Sequence, residues 1–279
     1  MRQICAQQIT DTVRRLCIEA NCSLGADLRE CICNAYNEEK WPQAKQILGQ
    51  IIENYQLAEE RHMPVCQDTG MACVFIKLGQ DVHVDGDINE AIHEGVRQGY
   101  AEGYLRKSVV RDPLDRVNTG DNTPAMIYVE LIPGEQIEIT VAPKGFGSEN
   151  MSQIKMLRPS DGVEGVKDFV LRVVEEAGPN PCPPIVVGVG IGGTFDKAAY
   201  MAKKALLRDV DAANENPFYQ QLENELLEKI NALGIGPQGF GGKTTALAVN
   251  IEACPTHIAG LPVAVNINCH VTRHKTEVL

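Results

Sequence analysis

At Met63 the hydrophobic rhythm of this chain changes, and that change limits what it can fold into. Before it, Ile4, Ile9, Val13, Leu16 and Cys17 recur at helical spacing, as do Ile47, Leu48, Ile51, Ile52 and Tyr55. After it, short apolar runs alternate with clusters of Gly, Pro, Asn and Asp. Residues 71–78, 125–132, 136–142, 185–190, 244–252 and 261–267 read as strands. Residues 87–105, 163–177, 195–208 and 217–233 read as helices, with Asp87 as an N-cap. Pro133-Gly134-Glu135, between two strand segments, reads as a hairpin turn, and the proline-rich 178–184 cannot lie inside a helix. The expected fold is mixed α/β (α+β). A helical N-terminal layer, residues 1–62, packs on a mixed-sheet domain over 63–279 that has no linker or repeat and reads as one continuous unit.

Composition narrows the function. The 279 residues are 44% hydrophobic and 23% charged, ordinary for a globular chain. No apolar run approaches the ~18 residues of a membrane span, and the first thirty residues lack the apolar core of a secretory signal. No membrane association and a cytoplasmic location are therefore expected. The charge balance, 26 − 37 = −11, repels phosphate backbones and argues against nucleic acid as a partner. An anionic substrate would need a local cluster of Arg, Lys and backbone N–H groups.

Ten cysteines are spread along the chain with no C-x-x-C pair, which removes the zinc-ribbon and thioredoxin-like signatures. Any metal site must be assembled from distant single cysteines. Cys5, Cys17 and Cys22 read as small hydrophobes in the helical layer. Cys31 and Cys33 fall on different faces of a helix. Cys66, Cys182 and Cys269 differ from these: each sits in or beside a loop of turn formers or polar groups, PVCQDTG, NPCPPI and NINCHVT. Cys73 lies in a strand segment, and Cys254, before Pro255, is a weaker fourth candidate.

Two glycine motifs imitate phosphate loops. Gly188-Val189-Gly190-Ile191-Gly192-Gly193 satisfies G-x-G-x-x-G between a strand and a helix, with Asp209 and Asp211 roughly ~20 residues on. An NAD-dependent oxidoreductase is the reading it supports, against a plain strand-to-helix turn or another anion loop. Residues 236–244, GPQGFGGKT, fail as a Walker A loop, because Pro237 stands where the motif requires glycine and removes a donor.

Three thiolates from separate loops can hold an iron–sulfur cluster, and a [4Fe–4S] cluster with only three protein ligands keeps one iron open as a Lewis acid. The companions suit such chemistry. Asp68 can carry a proton, His257 can tune it or shuttle with it, and Arg106 and Lys144 can recognise carboxylates. The plainer reading is three buried structural thiols in a non-catalytic scaffold subunit.

The strings CQDTG, KGFGSEN, NPCPPIVVGVGIGGT, GIGPQGFGGKTTALAV and PTHIAGLPVAVNINCHVTRH resemble class I iron–sulfur fumarate hydratase over about residues 54–274. The related L(+)-tartrate dehydratase shares CQDTG and the NPCPP-type motif, whereas KG-x-GSEN and GGKTTAL belong with the fumarase branch. The resemblance implies a hydro-lyase that reversibly hydrates fumarate to L-malate, with dehydration of L(+)-tartrate to oxaloacetate as the alternative. It implies cluster ligands at Cys66, Cys182 and Cys269, and a catalytic pair at Asp68 and His257. Substrate-binding positions fall on Gln67, Asp68, Arg106, Lys144, Gly145, Gly147, Ser148 and Asn150. Because the chain ends soon after its third cysteine motif, it resembles the alpha subunit of a two-chain enzyme. A separate beta subunit is then expected to carry the remaining catalytic residues, in a higher-order oligomer acting on a dicarboxylate.

Overall fold

The N-terminal rhythm yields α1 (Ala6–Cys22), α2 (Ala26–Glu38) and α3 (Pro42–Glu60), preceded by a short strand, β1 (Arg2–Cys5), in the computed structural model, which describes residues 2–279. The mixed part begins with β2 (Met71–Gly79), β3 (Val82–Asp85) and α4 (Ile88–Glu102). β4 (Met126–Ile132), β5 (Ile137–Lys144), the short α5 (Phe146–Glu149) and β6 (Gln153–Leu157) come next. α6 (Gly162–Ala177), β7 (Ile185–Gly193), α7 (Phe195–Ala205) and α8 (Pro217–Ala232) follow. The chain closes with β8 (Ala246–Thr256), β9 (Leu261–Asn268) and β10 (Lys275–Val278). No helix is long and apolar enough to cross a membrane among the described residues.

These elements form two compact units. One holds residues 1–24, 54–146 and 273–279; the other holds 25–53 and 147–272. The helical segment 1–62 is thus shared: α1 belongs to the first unit and α2 to the second, and α3 has residues in each.

In the first unit the sheet order is β10-β5-β2-β4. Segments β4 and β5 both form, but the expected hairpin between them does not. β2 lies between them, parallel to β4 and antiparallel to β5. The end of β2 takes the main-chain partners a hairpin would have used: Gly79 N donates to Gln136 O and Gln80 N to Ile132 O, both at 2.9 Å. Gly79 is required there, since a Cβ would sit 2.4 Å from the Gly134 carbonyl oxygen. α1 and α4 cover this sheet around Val13, Leu16, Ile92, Val96 and Ile139. They approach closely because α4 presents glycines: a Cβ on Gly95 would meet Thr10 O at 2.7 Å, and one on Gly99 would meet Arg14 O at 2.8 Å. The Asp87 carboxylate caps α4 by accepting from Asn89 N and Glu90 N, a cap of about 1 kcal/mol.

In the second unit the order is β6-β9-β7-β8. Val187, Val189 and Ile191 of β7 join Phe169 and Val173 of α6 and Leu222 and Leu226 of α8 in one core. The alternate positions of β7 are Gly188 and Gly190, and they meet α7. A Cβ at Gly188 would lie 2.1 Å from Ala202 O, and one at Gly190 would lie 2.1 Å from Ala198 O. The G-x-G-x-x-G string is therefore a central strand, paired with β8 on one side and β9 on the other, and not an open loop at a helix N-terminus. Its glycines exist so that a helix backbone can rest on a strand. The dinucleotide reading loses its physical basis, since the ladders consume the N–H groups a pyrophosphate would need.

The Walker-like segment is closed off in a different way. Lys243 N donates to Glu39 Oε2 at 2.7 Å, and Lys243 Nζ pairs with Glu38. A buried carboxylate thus holds a main-chain donor of that loop, and a second acidic residue takes its lysine.

Gly190→Ala tests this use of the glycines. Overpacking of this kind costs about 1–3 kcal/mol, so the variant is expected to lose at least that much stability in urea unfolding. Unchanged stability would mean that α7 does not rest on β7 as described.

Candidate active site

The first unit gathers the CQDTG loop, Arg106 and the start of the glycine-rich loop. Asp68 is fixed at both ends of its carboxylate: Oδ1 accepts from Gly70 N at 3.0 Å and Oδ2 from Phe146 N at 2.9 Å. One lone pair on each oxygen stays available for a proton or a ligand. Gly145 lies directly over this carboxyl, where a Cβ would be 3.2 Å from Asp68 Oδ2. Gly70, at φ +74°, passes so near Lys144 that a Cβ would come within 2.8 Å of its main chain. Thr69 Oγ1 donates to Arg106 O at 3.0 Å, tying the arginine to the same loop. Lys144 is buried. Cys66 is partly exposed, and its thiol donates to Gln67 Oε1 at 3.3 Å. Cys66, Gln67, Asp68, Arg106, Lys144 and Gly145 therefore form one continuous group.

The second unit brings two more predicted residues together. Cys182 is exposed and adopts a left-handed φ of 56°, a conformation that side-chain-bearing residues adopt only when their surroundings enforce it. The residue after Cys269 enforces it here. His270 donates its main-chain N–H to Cys182 O at 3.3 Å, and its ring Nδ1 lies 3.0 Å from the same oxygen. Gln238, at φ 53°, completes the clasp. Its N and Nε2 donate to Pro183 O at 2.8 and 2.7 Å, and Nε2 lies 3.2 Å from His270 Nδ1. The Walker-like loop thus has a use: it holds the NPCPP turn.

Ser148 is buried, and Glu149, beside it in the glycine-rich loop, accepts from Asn266 Nδ2 at 2.7 Å. A Cβ on Gly147 would lie 3.9 Å from Asn180 O, so this loop also runs past the turn before Cys182. Asn150 closes the loop at the end of α5.

His257 also belongs to the second unit. It sits in the β8–β9 turn with Nδ1 accepting from Ala259 N at 3.2 Å. It opens on an apolar groove of about 380 Å³ lined by Val163, Phe218, Tyr219 and Ile258. Cys269 follows the other end of β9, whose eight residues span about 25 Å, and Cys182 lies at that same far end, next to the Val186–Asn268 pairing. The second unit therefore does not bring His257 beside its two cysteines.

Burial sets Cys17, Cys22 and Cys73 apart from the loop cysteines, but Cys31, Cys33 and Cys254 keep partial exposure, and Cys5, expected to pack as a small hydrophobe, is exposed at the end of β1. None of the ten cysteines is in a disulfide. Burial pushes the Cys17 thiol up to about 12, and it raises Cys22 as well, against the opposing charge of Arg273. Such thiols are inert at neutral pH. Cys66, Cys182 and Cys269 all keep solvent access on loops, as thiolate ligands of an incoming cluster need. No three His, Cys, Asp or Glu side chains converge on a single metal-ion position among the described residues. Thiolates are the donors that an iron–sulfur cluster takes from a protein.

Sequence reasoning does not single out His270 and Gln238. His270 directly follows Cys269, and that adjacency is the one legible signal; Gln238 acts through a main-chain carbonyl remote in sequence, which no local pattern encodes.

The sequence profile described as Fumarate hydratase (Fumerase) matches residues 10–278. A protein of Methanocaldococcus jannaschii, provisionally named L(+)-tartrate dehydratase subunit alpha, is 47% identical over 274 residues, covering 95% of each chain. The L(+)-tartrate dehydratase subunit alpha of Escherichia coli is 32% identical over 279 residues, covering 99% of this chain and 92% of its own.

The thiol environments give a stability test. The Cys17 thiol ionises near 9.0 when exposed and at about 12 when folded, so the unfolded chain releases its proton first. This contribution is complete below pH 9.0 and fades as pH rises toward 12, by about 1.4 kcal/mol per pH unit. Urea unfolding across that range is expected to show the decline, and Cys17→Ala to flatten it. An equal decline in both proteins would assign it to other groups.

Proposed function

The chain belongs to the fumarate hydratase family, and we propose that within it this is the cluster-bearing alpha subunit of an iron–sulfur hydro-lyase acting on a four-carbon dicarboxylate. The observation that carries the proposal is the CQDTG loop. It places a free, partly exposed thiol two residues from a carboxyl held by two main-chain N–H groups. The relatives' names as alpha subunits support a separate beta subunit that supplies the rest of the machinery. A cytosolic setting, which keeps thiols reduced, belongs to the same reading.

Cys66, Cys182 and Cys269 would hold a [4Fe–4S] cluster. When bound, it supplies Lewis acidity at a substrate oxygen through the iron that lacks a protein ligand. Arg106 and Lys144 give the local positive charge that a dicarboxylate needs on a chain of net charge −11. Gln67 and the turn Gly145, Gly147, Ser148 and Asn150 contribute hydrogen-bonding groups around it. Asp68, its carboxyl orientation set by Gly70 N and Phe146 N, transfers the proton to the leaving hydroxyl in dehydration and recovers it in hydration. His257 tunes the Asp68 carboxyl or shuttles the proton with it.

Hydration of fumarate to L-malate is the leading reaction, supported by KGFGSEN and GGKTTAL. Dehydration of L(+)-tartrate is the second reading, favoured by the names of the two relatives. The deciding experiment is anaerobic reconstitution with the partner subunit, followed by kcat/KM on fumarate, L-malate, and L- and D-tartrate. Inactivity toward all four would refute the proposal.

Two variants test the roles. Asp68→Asn is expected to keep its iron but lose about 10²–10⁴-fold in kcat, the usual contribution of a general acid. Near-normal turnover would remove Asp68 from the proton transfer. Cys182→Ser is expected to fall well short of full iron content, whereas Cys73→Ser is not. His257→Asn with unaltered kcat would leave the proton step to Asp68 without His257.

A further inference from the structure

The CQDTG loop has no sheet or helix to satisfy its carbonyls, and three side chains do so instead. Arg273 Nη2 donates to Asp68 O at 2.5 Å. Tyr100 OH reaches Thr69 O at 2.8 Å and Gly70 O at 3.0 Å. Asn122 Nδ2 donates to Gly70 O at 3.2 Å and anchors itself by accepting from Ser108 N at 2.7 Å. All three side chains are buried: Tyr100 and Asn122 are 0% exposed and Arg273 is 6% exposed. Every carbonyl from Asp68 to Gly70 is thus held from inside the unit, while the Asp68 carboxyl is held by Gly70 N and Phe146 N.

Arg273 is the most costly member. Its Nε and Nη1 are buried with no hydrogen-bond partner, and a buried guanidinium with unspent donors is expensive. Neither atom is open to solvent, so no ligand can take those donors. A packing role alone is met better by an apolar side chain of similar size. What Arg273 does that such a side chain cannot is grip the carbonyl of Asp68.

We propose that Arg273, Tyr100 and Asn122 form a positioning cradle that sets the register of the 66–70 loop and so fixes where the Cys66 thiol and the Asp68 carboxyl stand. They are positioning residues and touch no reacting atom. The link to catalysis rests on the role proposed above for Asp68, but the cradle itself can be tested without it.

The test uses the full-length chain, free of cluster, with the alkylation rates of Cys66 and Cys182 measured by peptide mass spectrometry. Cys182 serves as an internal control because its clasp, His270 and Gln238, shares no side chain with the cradle. Arg273→Met and Tyr100→Phe are expected to speed Cys66 alkylation about tenfold through local opening and to leave Cys182 unchanged. Arg273→Lys, which retains a donor, is expected to restore most of the wild-type rate. In the reconstituted complex, Arg273→Met is expected to lower kcat by up to about 100-fold, the cost of an ångström-scale misplacement, with KM altered far less.

An unchanged Cys66 rate in both Arg273→Met and Tyr100→Phe overturns the proposal, as does an equal rise at Cys66 and Cys182. If Arg273→Met does not fold, the isosteric Tyr100→Phe decides the outcome by the same Cys66-to-Cys182 comparison. A selective Cys66 change in an enzyme inactive on every dicarboxylate would uphold the cradle and sink the hydro-lyase reading. Hydro-lyase activity with no Cys66 change would do the reverse.

Discussion

A loop that carries chemistry must satisfy its main-chain groups without a sheet or helix to do it, and the local architecture around these cysteines follows from that constraint. Residues 68–70 hand their carbonyls to Arg273, Tyr100 and Asn122. Cys182 and Pro183 hand theirs to His270 and Gln238. In each case a thiol sits on a loop whose carbonyls are held by buried or half-buried polar side chains. The glycines follow the same logic: Gly70 and Gly145 are where main chains pass within a Cβ's reach of Lys144 and Asp68.

Much of the fold was legible because periodicity reports burial. The α4 cap at Asp87, the strands at 71–78 and 261–267, and the helices at 163–177 and 217–233 all formed close to their expected bounds. Pairing was not legible. Pro133-Gly134-Glu135 has good turn chemistry, but turn chemistry cannot say which strand enters between the two arms, and β2 does. Likewise, 1–62 reads as one helical layer, because helical spacing carries no information about which sheet each helix covers. The short strands β1, β3, β6 and β10 were missed because they are edge or ribbon strands of four or five residues, too short for a period to be read.

The candidate site was legible where chemistry and loop context coincide. Cys66, Gln67, Asp68, Arg106 and Lys144 are joined through Thr69, Gly70 and Gly145, and Cys182 meets the residue after Cys269. Glycine patterns misled because they encode close approach as readily as phosphate binding. In Gly188 and Gly190 the approaching group is the α7 main chain, and beside Gly242 it is the Glu39 carboxylate, 2.7 Å from where a Cβ would sit. The strongly acidic balance of the chain makes this distinction functional. A phosphate or a dicarboxylate can be held only where positive charge is concentrated, and the main chains of Arg106 and Lys144 join the CQDTG loop.

The proposed function requires that a cluster held by Cys66, Cys182 and Cys269 respond to a dicarboxylate. Electron paramagnetic resonance of the reduced cluster, in the anaerobically reconstituted two-subunit complex, tests it most directly. The account predicts a [4Fe–4S] signal whose line shape shifts when L-malate or L-tartrate is added. A cluster signal indifferent to every four-carbon dicarboxylate, or full turnover in a protein free of iron, would contradict it.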